Sequence, residues 1–164
     1  LSACGGGEGN TAGSANTDAP ITPIAAPQGG DWTQMVSQTP AGGFLMGNPE
    51  APVKVVEFAS MTCPHCAEFS REGEPKLIEE YVKSGRVSYE FRNYVMNPID
   101  VAMSLVTRCA GATPAFFKLT SQMFAEQKNI LDRFQAIPPA ELQVLQTLPA
   151  GQQSQRVAQL AGLQ

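Results

Sequence analysis

The run Val53-Lys54-Val55-Val56-Glu57-Phe58 is followed, after four intervening residues, by Cys63-Pro64-His65-Cys66, and no other feature restricts this chain as much. The run is short, mostly apolar and rich in β-branched residues, which suits a strand buried on both faces of a sheet. Behind the cysteines, Ala67–Lys83 reads as a helix in which Phe69, Leu77, Ile78 and Tyr81 share a face. Gly73 and Pro75 predict a kink or break in that helix, and Gly85 closes it. Val87–Val95 (VSYEFRNYV) alternates and forms a second core strand. Strand, helix, strand makes a βαβ unit with parallel strands and a right-handed crossover.

The two thiols stand at the start of that helix, and each neighbour has a physical reason. Unpaired N–H groups and the helix macrodipole favour an anion there, so the thiol of Cys63 ionises more readily. Two intervening residues let Cys66 reach back within one turn to form or resolve a disulfide. Pro64 suits a first helical position because it has no N–H to leave unpaired. His65, the single histidine of the chain, can add positive charge or a hydrogen bond beside the thiolate. A pair of cysteines so spaced, at a strand-to-helix junction in a βαβ pattern, points to redox chemistry.

The remainder divides into three parts. Residues 1–30 carry Glu8 and Asp18 as their only charges, and hold seven glycines and three prolines. With so little to bury they read as a flexible linker. Residues 31–97 form the α/β core: Asp31–Val36 and Gly43–Met46 flank a turn and read as a hairpin or two edge strands, ahead of the βαβ unit. Residues 98–164 read as helical, with segments at Ile99–Cys109, Pro114–Gln127, Pro139–Leu148 and Gln152–Leu163. Met96, Met103 and Met123 fit packing positions. Cys109 reads either as a small buried residue on a helix or as half of a second disulfide.

The net charge of −4 and absence of a clustered basic face argue against nucleic-acid binding. No apolar run approaches the roughly 18–20 residues of a membrane-spanning helix. The chain has no glycine-rich phosphate loop in a strand–helix context and no serine triad, and no cofactor is expected.

Residues 46–69, MGNPEAPVKVVEFASMTCPHCAEF, resemble the DsbA-like branch of the thioredoxin superfamily, the periplasmic thiol–disulfide oxidoreductases. The similarity runs from about Phe44 to Leu105 and includes the Gly-Asn-Pro-Glu-Ala-Pro lead-in and the Pro-His pair between the cysteines. It implies a thioredoxin-like βαβ core with an inserted or appended helical region. It also implies that Cys63 attacks, that Cys66 resolves, and that Pro64-His65 marks a strongly oxidising member. Glu57 falls where the family places a buried acid, and its role would be proton exchange with Cys66. The family's cis-proline loop is not found: Thr113-Pro114 reads instead as the cap and first residue of a helix. On that reading the sheet is incomplete in this chain, which looks like a piece lacking the last strands.

The opening Leu1-Ser2-Ala3-Cys4-Gly5 resembles a bacterial lipobox, in which the Cys becomes a lipidated N-terminus. The expectation is therefore a periplasmic lipoprotein of a Gram-negative bacterium, held to the membrane only through Cys4. It would exchange disulfides with protein substrates and be served by a membrane redox partner. Two alternatives remain. One is a non-catalytic thioredoxin-like lipoprotein that binds partners. The other is a structural zinc site using Cys63, Cys66, Cys109 and His65, for which a second close pair of ligands is missing and no metal is expected.

Overall fold

The computed structural model describes residues 22–163. Strand β3 (Val53–Ala59) and strand β4 (Val87–Asn93) pair in parallel, with Val55 opposite Tyr89 and Glu57 opposite Phe91. A short hairpin, β1 (Val36–Gln38) and β2 (Phe44–Gly47), adds to the other edge of β4 through antiparallel β2, giving the order β1-β2-β4-β3. The match to the thioredoxin-like α/β expectation lies in this mixed sheet and its crossover.

The crossover consists of α1 (Pro64–Glu72), α2 (Glu74–Lys76) and a π-helical stretch, Leu77–Val82. The predicted break falls at Gly73, where a side chain would collide with the Phe69 ring. The wider turn ends with the Lys83 N–H donating to the Ile78 carbonyl at 3.0 Å. Gly85 then takes φ +74°, and a Cβ there would strike the Ile24 carbonyl and the Trp32 indole.

Five helices follow: α3 (Pro98–Arg108), α4 (Pro114–Ala125), α5 (Gln127–Gln135), α6 (Pro139–Thr147) and α7 (Ala150–Leu160). Pro114 opens α4 as its first residue. The α5 helix has no counterpart in the sequence reading; Ile130 is buried and Phe134, one turn on, packs beside the core.

Packing sits on one face of the sheet. Phe44, Met46, Tyr89 and Phe91 meet Phe116, Phe117 and Phe124 of α4, with ring centroids 4.3–6.4 Å apart. This overturns the expectation that Val53–Phe58 is buried on both faces. β3 is an edge strand among the described residues; Val55, Glu57 and Ala59 face the helices, while Val56 and Phe58 are 40% and 62% exposed on the opposite side.

Other expectations are also corrected. Trp32–Gln34 forms a 3₁₀ turn rather than a strand, because the Asp31 carboxylate accepts from the Thr33 N–H at 2.9 Å and caps it. Met96 is 65% exposed, whereas Met103 and Met123 are buried. Cys109 is exposed at the end of α3, its thiol donating to the Leu105 carbonyl, so it is not a core residue.

Candidate active site

Cys63 is the N-terminal cap of α1 and Pro64 its first residue. The residues ahead of them are fixed first. Ser60 is buried, Met61 has no exposed surface, and the Cys63 N–H closes a turn onto the Ser60 carbonyl at 3.1 Å. The Cys63 carbonyl accepts from Ala67 at 3.2 Å, starting the helix.

The two thiols experience opposite environments. Partial burial opposes ionisation of Cys63, but the backbone N–H and thiol of Cys66 and the backbone N–H of His65 outweigh it, so its pKa falls below the ordinary value. The Asp100 carboxylate works in the other direction. Burial pushes the Cys66 thiol up to about 11, and its hydrogen bond to Cys63 and the nearby Glu57 add to the rise. The His65 imidazole lies on the surface, 3.5 Å from the Glu68 carboxylate, so it is the main chain of His65 that faces Cys63.

Glu57 points from β3 to the helix-covered face, where Tyr89 of β4 donates its hydroxyl to the carboxylate. Burial raises the Glu57 pKa, and the Tyr89 hydrogen bond only partly offsets this. Tyr89 has no exposed surface, and burial together with Glu74, Glu57 and Cys66 raises its own pKa. Glu74, 3% exposed, accepts from Ser70 of α1 at 2.6 Å and faces Ser121 of α4 at 3.5 Å. Its Oε1 has no partner, and burial pushes its pKa up to about 7.

The structure thus gathers Cys63, Pro64, His65, Cys66 and Glu57 at one end of β3. Cys4 lies outside the described residues, as does the linker up to residue 21. Cys109 stands at the far end of α3 from the residue-60 loop. Among the described residues, no three His, Cys, Asp or Glu side chains are arranged to hold a metal ion, and no helix is long and apolar enough to cross a membrane.

Four residues escaped the sequence reading. Tyr89 could have been found by strand parity, since it lies two residues before Phe91, the partner of Glu57, and so on the same face of an alternating run. Asp100 sits in an Asn97-Pro98-Ile99-Asp100 helix start, whose cap bonds the Asp100 N–H at 3.0 Å. Glu74 lies four residues after Ser70, a helical hydrogen-bonding spacing. Gln127 carried no local signal, because a new helix begins there where the sequence suggests the end of the old one.

A thioredoxin family model matches residues 39–160. A protein of Rickettsia conorii named as a protein-disulfide oxidoreductase is 31% identical over 84 residues, 51% of this chain and 30% of that protein. The chain therefore spans under a third of the length of that curated relative. Disulfide bond formation protein D of Bacillus subtilis is 35% identical over 56 residues, 34% of this chain and 25% of that one. Among solved structures, a protein-disulfide isomerase from Novosphingobium aromaticivorans superposes with a TM-score of 0.63 at 32% identity, covering 71% of this chain and 59% of that one. Alpha-DsbA1 of Wolbachia pipientis gives 0.54 at 27% identity, covering 77% and 56%. On the strength of that match, these relatives and a paired-cysteine helix start on a shared fold, the chain belongs to the thioredoxin superfamily, within its DsbA-like branch of protein-disulfide oxidoreductases.

Proposed function

We propose that the protein is a thiol–disulfide oxidoreductase working through a Cys63–Cys66 pair, as an oxidant of secreted proteins in the periplasm. The observation that carries this reading is the asymmetry of the two thiols: Cys63 at a helix N-terminus with a lowered pKa, Cys66 held at about 11 beside a protonatable Glu57.

In the oxidised protein, a substrate thiolate attacks the Cys63 sulfur. The Cys63–Cys66 bond breaks, a mixed disulfide forms at Cys63, and Cys66 leaves as a thiolate that takes a proton from the Glu57 carboxyl. A second substrate thiolate attacks the substrate sulfur of the mixed disulfide and expels Cys63 as a thiolate. The substrate loses two electrons to form its disulfide, and the protein ends reduced, with Cys63 as a thiolate, Cys66 as a thiol and Glu57 as a carboxylate. Stabilising the leaving Cys63 thiolate favours this direction. Pro64 sets the helix start and His65 supplies a backbone N–H. A membrane redox partner would return the protein to its disulfide form, and a lipid on Cys4 would keep the two together.

The same atoms run backwards when Cys63 attacks a substrate disulfide, the chemistry of an isomerase, and one solved relative bears that name. The deciding experiment is oxidation of a reduced dithiol peptide by the oxidised protein, with the Cys63 thiolate titrated by its absorbance near 240 nm. Activity that disappears in Cys63→Ser, with a titration well below the free-thiol value of about 8.5, supports the reading. Unchanged activity in Cys63→Ser overturns it, and a normal pKa rejects the oxidant direction. Cys4→Ser should release the protein from the membrane fraction; retention there removes the anchor from the proposal.

A further inference from the structure

The loop that delivers Cys63 is held less by its own strand than by two buried side chains from the helical region. The Asp100 side chain, at the start of α3, is fully buried. Its Oδ1 accepts from the Met61 N–H at 2.9 Å, and its Oδ2 accepts from the Ser60 hydroxyl at 2.5 Å and the Met96 N–H at 3.0 Å. Gln127, the first residue of α5 and 7% exposed, donates its amide to the Met61 carbonyl at 2.8 Å and the Cys63 carbonyl at 3.0 Å. Both polar groups of the Met61 main chain are therefore taken by these two residues. Asn97 adds a third tie, its amide donating to the Thr62 hydroxyl at 3.0 Å.

From this arrangement we infer that Asp100 and Gln127 are positioning residues of the active-site loop, clamping residues 60–63 from α3 and α5 so that Cys63 stays at the N-terminus of α1. The inference rests on the exchange reaction proposed above and assigns the helical region a part in it. Burying an amide and a carboxylate is costly unless their partners are supplied. Here all of those partners but two, Met96 and the more distant Ser104 hydroxyl at 3.5 Å, lie in the four residues ending at the nucleophile. The Cys63 carbonyl that receives Gln127 is also the acceptor for the first turn of α1, so loss of Gln127 loosens the turn whose N–H groups face the thiolate.

The two residues differ in charge, which makes their roles separable. The titratable groups facing Cys63 are Cys66 on α1 and Asp100 on α3, with the His65 main chain beside them; α5 contributes the neutral Gln127. Asp100 holds the loop yet disfavours the thiolate, whereas Gln127 holds it without an opposing charge.

The test is the alkylation rate of Cys63 by iodoacetamide at pH 6, read by mass spectrometry of its peptide on the full chain, with folding followed by circular dichroism. In Gln127→Met, an isosteric change that removes the donors, the rate should fall about tenfold, one pKa unit of thiolate. In Asp100→Asn, which removes the charge and keeps one acceptor oxygen, it should rise severalfold. Opposite movements are something a purely structural role would not produce. If both variants alkylate at the wild-type rate, or both merely lower the melting temperature, the inference is overturned. Should Gln127→Met not fold, the Asp100→Asn rate decides alone. Wild-type protein that fails to oxidise the dithiol peptide would overturn the proposed function instead, and the two failures are read in separate assays.

Discussion

Glu57 and Glu90 stand one ladder step apart, since Glu57 pairs with Phe91 and Glu90 with Val56. They point to opposite faces of the sheet and have opposite chemistry. Glu90 accepts from Arg92 Nε at 2.7 Å, from its second nitrogen at 2.9 Å and from the Thr39 hydroxyl at 2.6 Å. The Arg92 hydrogen bonds hold its carboxyl below the usual range against the effect of burial. Glu57 has only a phenol for company, and burial raises its carboxyl. A carboxylate gripped by a guanidinium keeps its charge through neutral pH. One that shares a desolvated pocket with Tyr89 and Cys66 has a proton to trade. Burial alone does not make a proton donor; the partner decides.

The comparison depends on a dry helix-covered face, and its firmest test is to open that face. Phe91 lies opposite Glu57 with 1% exposure, touching Phe116 and Phe124. Phe91→Ala should destabilise the protein by about 3–5 kcal/mol in denaturant unfolding. It should also pull the Glu57 pKa back toward the ordinary carboxyl range as water enters. A loss below 1 kcal/mol would mean that this face is not the core.

Next in size is Glu57→Gln, which keeps the shape and removes the exchangeable proton. Resolution of a Cys63 mixed disulfide by Cys66 should slow by about 100-fold at pH 7, within the usual range for a general acid–base group. Its rate should then climb about tenfold per pH unit above neutrality, because burial still holds the Cys66 thiol up and only solvent hydroxide remains to deprotonate it. The equivalent change at Glu90 should leave this profile in place. Equal resolution rates in Glu57→Gln and the wild type would erase the distinction between the two glutamates.

How much of this was legible follows from the range of the interactions. The βαβ unit, the break at Gly73 and the cap at Cys63-Pro64 are written in neighbouring residues, and the chain forms them as its letters suggest. Burial of Glu57 was expected from a strand buried on both sides; in the structure β3 is half exposed, and parity within an edge strand is what turns Glu57 inward. Tyr89, Asp100 and Gln127 reach the site from 32 to 66 positions away along the chain. No local pattern records such partnerships; they exist only once α3, α4 and α5 have packed on the sheet.

A third carboxylate sharpens the comparison by lacking both kinds of partner. Glu74 has only hydroxyls near it and sits at about 7. Its native pKa exceeds the unfolded value of about 4.3, so between these values the folded state binds more protons and stability falls as pH rises. Above pH 7 the full cost of burying the charge is present, and below pH 4 it is absent. Glu74→Gln should therefore stabilise the protein by about 1–3 kcal/mol at pH 8 and hardly at all at pH 4, read from urea midpoints at the two values. An equal effect at both would show that Glu74 does not titrate in this window.

The smallest effect is expected on the outer face, at Phe58. It follows Glu57 in the chain, yet its ring is 62% exposed, with the Arg92 guanidinium 5.4 Å from its centroid. That guanidinium stays engaged by Glu90 when the ring is removed, so Phe58→Ala leaves no charge unpaired and no cavity. The cost should be under about 0.5 kcal/mol, as for other surface positions. The contrast with Phe91 is the point: two phenylalanines on paired strands, differing in face, should differ several-fold in their effect on unfolding. Should Phe58→Ala cost several kcal/mol, the outer face is covered in solution by something other than the elements described here. The Arg92–Glu90 pair, in which Glu90 is already buried and only Arg92 reaches solvent, would then be buried at both partners, and loss of Arg92 would be correspondingly more damaging.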